Sequence, residues 1–140
     1  MFEKVLLAVD GSEHALHAAR TAADLARAIK SKDFRIVVVY DFIPPYLGEP
    51  NMQNAINARL EDAKAILENA VKTVGQLPCE IHTELIEGSS AQAIIDVATT
   101  RKSDVIVMGS RGLGTLAGLL LGSTSQKVVG HAPCPVLIVR

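Results

Sequence analysis

Five short runs rich in Val, Ile and Leu punctuate this chain: Val5–Val9, Ile36–Tyr40, Ile81–Ile86, Val105–Met108 and Val136–Val139. A segment of helical periodicity fits between each pair, so the pattern reads as four βα units and a last strand. Alternating β and α elements imply a parallel sheet with right-handed crossovers. Runs one, two, four and five are almost continuously aliphatic, as strands covered on both faces must be. The third, Ile81-His82-Thr83-Glu84-Leu85-Ile86, is mixed and belongs toward an edge. The expected architecture is α/β: one doubly wound domain over residues 1–140, a five-stranded Rossmann-like sheet of order 3-2-1-4-5 with helices on both faces. In such a sheet a ligand sits outside the carboxyl ends of the strands where the order reverses, here between strands one and four.

The helices carry their own boundary signals. Ser12 caps the first, with Glu13 in its first turn, and the face Ala15, Ala19, Ala22, Ala23, Ala26, Ile29 is small enough for close contact with the sheet. In the second, Ile56, Leu60, Ala63, Leu67, Ala70 and Val74 alternate spacings of four and three before Gly75 and Pro78 end it. The third follows Gly88 and buries Ile94, Ile95 and Ala98; the fourth runs from Ser123 to about His131. Three prolines between Ile43 and Pro50 make that stretch a surface loop leaving strand two.

Within the last βα unit lies the segment richest in chemistry, Gly109 to Ser125, reading GSRGLGTLAGLLLGSTS. It joins a buried strand to a helix that Ser123-Thr124-Ser125 can cap, and strand, glycine loop and capped helix form a phosphate-site architecture. Glycine lets backbone approach a ligand and take φ > 0, while a helix N-terminus supplies unpaired donors with partial positive charge. From Val105 to Arg140 there is no Asp or Glu, whereas Arg111, Lys127 and Arg140 are present. An anion there meets no carboxylate from its own half of the site. Across the reversal, Asp10 ends strand one, and Tyr40 and Asp41 end strand two, which gives the crevice an acidic side.

Composition narrows the partners. With 14 Lys+Arg against 15 Asp+Glu, a net charge of −1 and only 4% aromatic residues without Trp, the chain has neither the basic surface nor the stacking platforms of a nucleic-acid binder. The apolar run before Asp10 is too short for a signal-peptide core or a membrane span, so a cytoplasmic protein is expected. Cys79 and Cys134 each neighbour a proline and are not a Cys-x-x-Cys pair; free buried thiols are expected.

These features resemble the universal stress protein family, in particular its ATP-binding branch. The branch signature Gly-x2-Gly-x9-Gly-[Ser/Thr] is met by Gly109, Gly112, Gly122 and Ser123. The opening Val-Asp-Gly-Ser around Asp10 and the closing His131-Ala132-Pro133-Cys134-Pro135-Val136 are also similar, so the resemblance spans the chain. It implies ATP as ligand, with Mg2+ or Mn2+ as a further partner. Adenine and ribose would lie against Ala8, Val9, Asp10, Val39, Tyr40 and Met108. Gly109, Arg111 and Gly112 would line the path to the phosphates, which Gly122, Ser123, Thr124 and Ser125 would clasp. A homodimer through the edge strand Val136–Val139 is also implied. No Gly-Lys dipeptide exists for a Walker A loop, and a dinucleotide fingerprint would fall after the first strand, not at Gly112-Leu113-Gly114.

Each residue also has a plainer role open to it. Asp10 is either a cap of helix one, competing with Ser12, or a ligand contact; Arg111 is either an anion donor or solvent-facing. His14 and His17 read as exposed helix histidines without a third metal ligand, and His82 and His131 as structural. Leu113 to Leu121 form an apolar stretch that must pack on this domain or on a partner. No well-placed general base or nucleophile–base pair is visible, which favours a nucleotide-binding regulatory module. A slow ATPase or phosphotransferase using Asp10 or Asp41, and a nucleotide-free dimerisation module, are the alternatives.

Overall fold

The computed structural model describes residues 2–42, 48–111 and 121–140. Along the chain run β1 (Lys4–Val9), α1 (Glu13–Ile29), β2 (Asp33–Tyr40), α2 (Asn51–Val74), β3 (Ile81–Glu87), α3 (Ser90–Thr100), β4 (Val105–Gly109), α4 (Ser123–His131) and β5 (Val136–Val139). All pairings are parallel and the order is β3-β2-β1-β4-β5, the expected topology, with β3 at one edge and β5 at the other. Residues 43–47 of the expected proline loop lie outside the described residues, as do Gly112 and the apolar stretch up to Leu120.

Successive strand residues point to opposite faces, and both faces are apolar. Val5, Leu7, Val9, Phe34, Ile36, Val38, Val105 and Val107 form one core layer with the alanines of α1 and with Ala63, Ala70 and Val74 of α2. Leu6, Ala8, Val37, Ile106 and Met108 form the other, against Ala91, Ile94, Val97 and Ala98 of α3 and Val128 of α4. The chain therefore winds α1 and α2 over one face and α3 and α4 over the other. That change of face between β1 and β4 opens the crevice at their carboxyl ends.

Local chemistry sets how the helices leave the strands. The Asp10 carboxylate accepts from the Ser12 amide at 2.9 Å, Gly11 takes φ 85°, and the Ser12 hydroxyl accepts from the Ala15 amide at 3.1 Å. This turn starts α1 on the residue the sequence indicates. Six buried alanines bring α1 close to the sheet, Ala18 among them in addition to the expected set. At its far end, α2 stops at Gly75 with φ 71°, where the Arg27 guanidinium donates to the Val74 carbonyl at 2.7 Å and the Gln76 carbonyl at 3.2 Å.

Two expectations about the last crossover need correction. Ser123, Thr124 and Ser125 are not caps: Gly122 is the N-cap, with no side-chain capping bond, and the serines and threonine make the first turn of α4. Gly122 has φ −73° and ψ 168°, extended backbone open to any residue, so positive φ is not the reason for glycine there.

Candidate nucleotide site

A cavity of about 440 Å³ lies at the carboxyl ends of β1, β2 and β4, a size in the range of small-molecule sites. Ala8 and Val9 enter from β1 with Asp10 just beyond it, Val39 and Tyr40 from β2, Met108 and Gly109 from β4 with Arg111 just beyond it, and Gly122 to Ser125 from the start of α4. The fold thus brings together every residue expected at the crevice except Gly112, which lies outside the described residues. Sequence reasoning missed the wall contributed by α2, where Arg59, Asp62, Ala63 and Ile66 line the cavity. Their spacings of three, one and three put them on one helical face. Arg59, Asp62 and Ile66 flank the stripe read as the buried one, and nothing in their spacing says which flank of α2 turns toward the strand ends.

The glycine side is built differently from the expectation. Gly109 answers to packing: a Cβ there would lie 2.8 Å from the His14 Cβ and 2.9 Å from its backbone carbon, so α1 crosses the end of β4 too closely for any side chain. The buried Ser125 hydroxyl is turned inward and donates between the Gly109 carbonyl at 2.9 Å and the Ser110 carbonyl at 3.2 Å. The Gly122 amide is used as well, donating to the Ser110 carbonyl at 2.8 Å. The α4 ladder begins with Gln126 donating to the Gly122 carbonyl, so the amides of Ser123, Thr124 and Ser125 precede it and have no acceptor within the helix. Three amides at the positive end of a helix, beside the half-buried Arg111, make this the anion-receptive end of the cavity.

The opposite end carries mixed charge. Asp10, Asp41 and Asp62 line it together with Arg59, and Arg59 Nη1 lies 3.8 Å from Asp41 Oδ2. Among the described residues no group of three or more His, Cys, Asp or Glu converges as a metal site.

The histidines do not share a ligand. His14 is half-buried, not exposed, with Nδ1 hydrogen-bonded to Ser110 Oγ at 3.2 Å, whereas the exposed His17 places Nδ1 3.1 Å from the Arg140 carbonyl oxygen. His82 faces Asp33 at 3.3 Å, and His131 Nδ1 lies 3.0 Å from the Lys127 carbonyl oxygen. Cys79 and Cys134 are free, as expected, but only half-buried. Burial pushes the Cys134 thiol above its ordinary pKa and the nearby Asp104 charge adds to this, against a smaller lowering by a hydrogen bond with the Ile106 backbone. Such a thiol is a poor nucleophile at neutral pH.

Comparison with known proteins agrees with the fold. The Universal stress protein family model matches residues 1–140. A universal stress protein of Thermus aquaticus is 46% identical over 140 residues, all of both chains. In three dimensions the chain is similar to UspA of Lactobacillus plantarum, with a TM-score of 0.86 and 27% identity over 99% of this chain and 98% of that one. It is also similar to a universal stress protein solved in complex with cAMP, with a TM-score of 0.71 and 29% identity over 97% and 95% of the two chains. No helix among the described residues is long and apolar enough to cross a membrane.

Proposed function

This chain belongs to the universal stress protein family, and from that premise we propose that its crevice binds ATP and that the bound state regulates a partner in the cytoplasm. One observation carries the reading: a cavity at the strand-order reversal has the free first-turn amides of α4 and Arg111 at one end and an aliphatic, carboxylate-edged wall at the other. That polarity matches a molecule with a polyanionic tail and a neutral, hydrogen-bonding base. Ser123, Thr124, Ser125 and Arg111 would take the phosphates. Ala8, Val9, Val39, Tyr40 and Met108 would enclose the base, with Asp10 and Gly109 alongside the ribose. Mg2+ or Mn2+ would be held mainly by the phosphates. The complex of a relative with cAMP supports an adenine nucleotide as the class.

Isothermal titration with ATP, with cAMP and AMP as competitors and with Mg2+ present or withheld, tests this. One site per chain with ATP preferred is expected, and no heat with any nucleotide would refute it. Multiple turnover with Mg2+ that Asp10→Ala abolishes while ATP still binds would favour the enzyme reading.

A homodimer is part of the same proposal. Among the described residues β5 pairs only with β4, and its Leu137 is 38% exposed, so an aliphatic edge is available to a two-fold partner. Leu137→Lys is expected to convert a dimer to monomer in sedimentation velocity. A parent chain that sediments as monomer at high concentration would contradict it.

A further inference from the structure

We infer that Arg59 on α2, outside the glycine signature, is a specificity residue that lays its guanidinium plane on the base of the bound nucleotide. The inference rests on the ATP reading above. Arg59 lines the cavity on the wall opposite the phosphate end, beside the carboxyl end of β2. Its charge is not what that position offers a ligand. Asp41 lies 3.8 Å from its guanidinium, and Asp62, one turn further along the same face of α2, also lines the cavity. With Asp10, Asp41 and Asp62 lining the cavity beside it, Arg59 is outnumbered by carboxylates and that end draws no phosphate, whereas Arg111 and the start of α4 form an end without them.

What remains is the flat, weakly hydrated surface of the guanidinium, which stacks on planar groups. The cavity has need of one. Among its lining residues Tyr40 is the single aromatic, and the apolar residues beside it are aliphatic: Val9, Val38, Val39, Ala63, Ile66. The Asp41 contact does not oppose the move. It is long, and the two side chains are 41% and 83% exposed, so the pair is worth little and releases Arg59 readily. Ala63 and Ile66, one and two turns along from Arg59, pack into the core and fix α2 against the site.

The test separates the base from the phosphates. ATP and inorganic tripolyphosphate are titrated into the unmodified chain, Arg59→Ala and Arg59→Lys, with thermal unfolding to check that each variant is folded. Both variants are expected to weaken ATP roughly tenfold, because lysine keeps the charge but not the plane. Tripolyphosphate affinity is expected to stay unchanged. Wild-type ATP affinity in Arg59→Lys, a parallel loss of tripolyphosphate, or no change in Arg59→Ala overturns the inference while leaving the ATP reading intact. An unmodified chain that binds no ATP removes the reading itself, and the inference with it.

Discussion

At the residue scale, Gly109 separates packing from ligand binding. Its missing side chain is required by α1, whose His14 backbone would stand 2.9 Å from an added Cβ. Backbone cannot swing aside as a side-chain tip can, so Gly109→Ala should cost about 1–3 kcal/mol, read as a lower urea midpoint at unchanged slope. Full stability combined with lost nucleotide binding would show instead that the ligand needs the space. Glycines at 109 and 122 were legible as a signature, but their reasons were not. A tertiary crossing explains the first, and ordinary backbone angles at the second remove the conformational argument. Single-residue pattern carries no information about which neighbour crosses above it.

Among the elements, α4 is the one whose placement matters most to the site. Its first turn is anchored from below by the Ser125 hydroxyl on the Gly109 and Ser110 carbonyls, and by the Gly122 amide on Ser110. Ser110 is itself buried and its amide donates to the Val139 carbonyl at 2.7 Å, so β4, β5 and α4 meet at one residue. Ser125→Ala should destabilise the fold by about 1–3 kcal/mol, since it strips a donor from the half-buried Gly109 carbonyl and leaves the Ser110 carbonyl only the Gly122 amide. ATP affinity should fall with it as the helix start loosens, measured by unfolding and by titration on the same preparation. Strand and helix types were all readable, because the apolar runs and the periodic faces are strong signals. The inward turn of Ser125 was not, because a hydroxyl in a first turn can cap, contact ligand or bond back, and only the packed neighbours decide.

For the molecule as a whole, topology does most of the work of assembling the crevice. Residues from β1, β2, β4 and α4 meet there because the winding changes face between β1 and β4; the βα alternation called for a parallel sheet, and 3-2-1-4-5 was one of the doubly wound orders it allows. The α2 wall was out of reach because a helix on a sheet can turn either polar flank toward the strand ends. Its rotation follows from how Ala63, Ala70 and Val74 seat in the core. The central claim, that amides at the start of α4 grip a phosphate chain, is tested most directly by amide NMR during ATP titration. The largest shifts are expected at Ser123, Thr124 and Ser125, with a second set at Val9, Val39 and Tyr40 for the base. Saturating ATP that leaves the α4 amides unmoved, or moves only residues outside the crevice, would contradict the account.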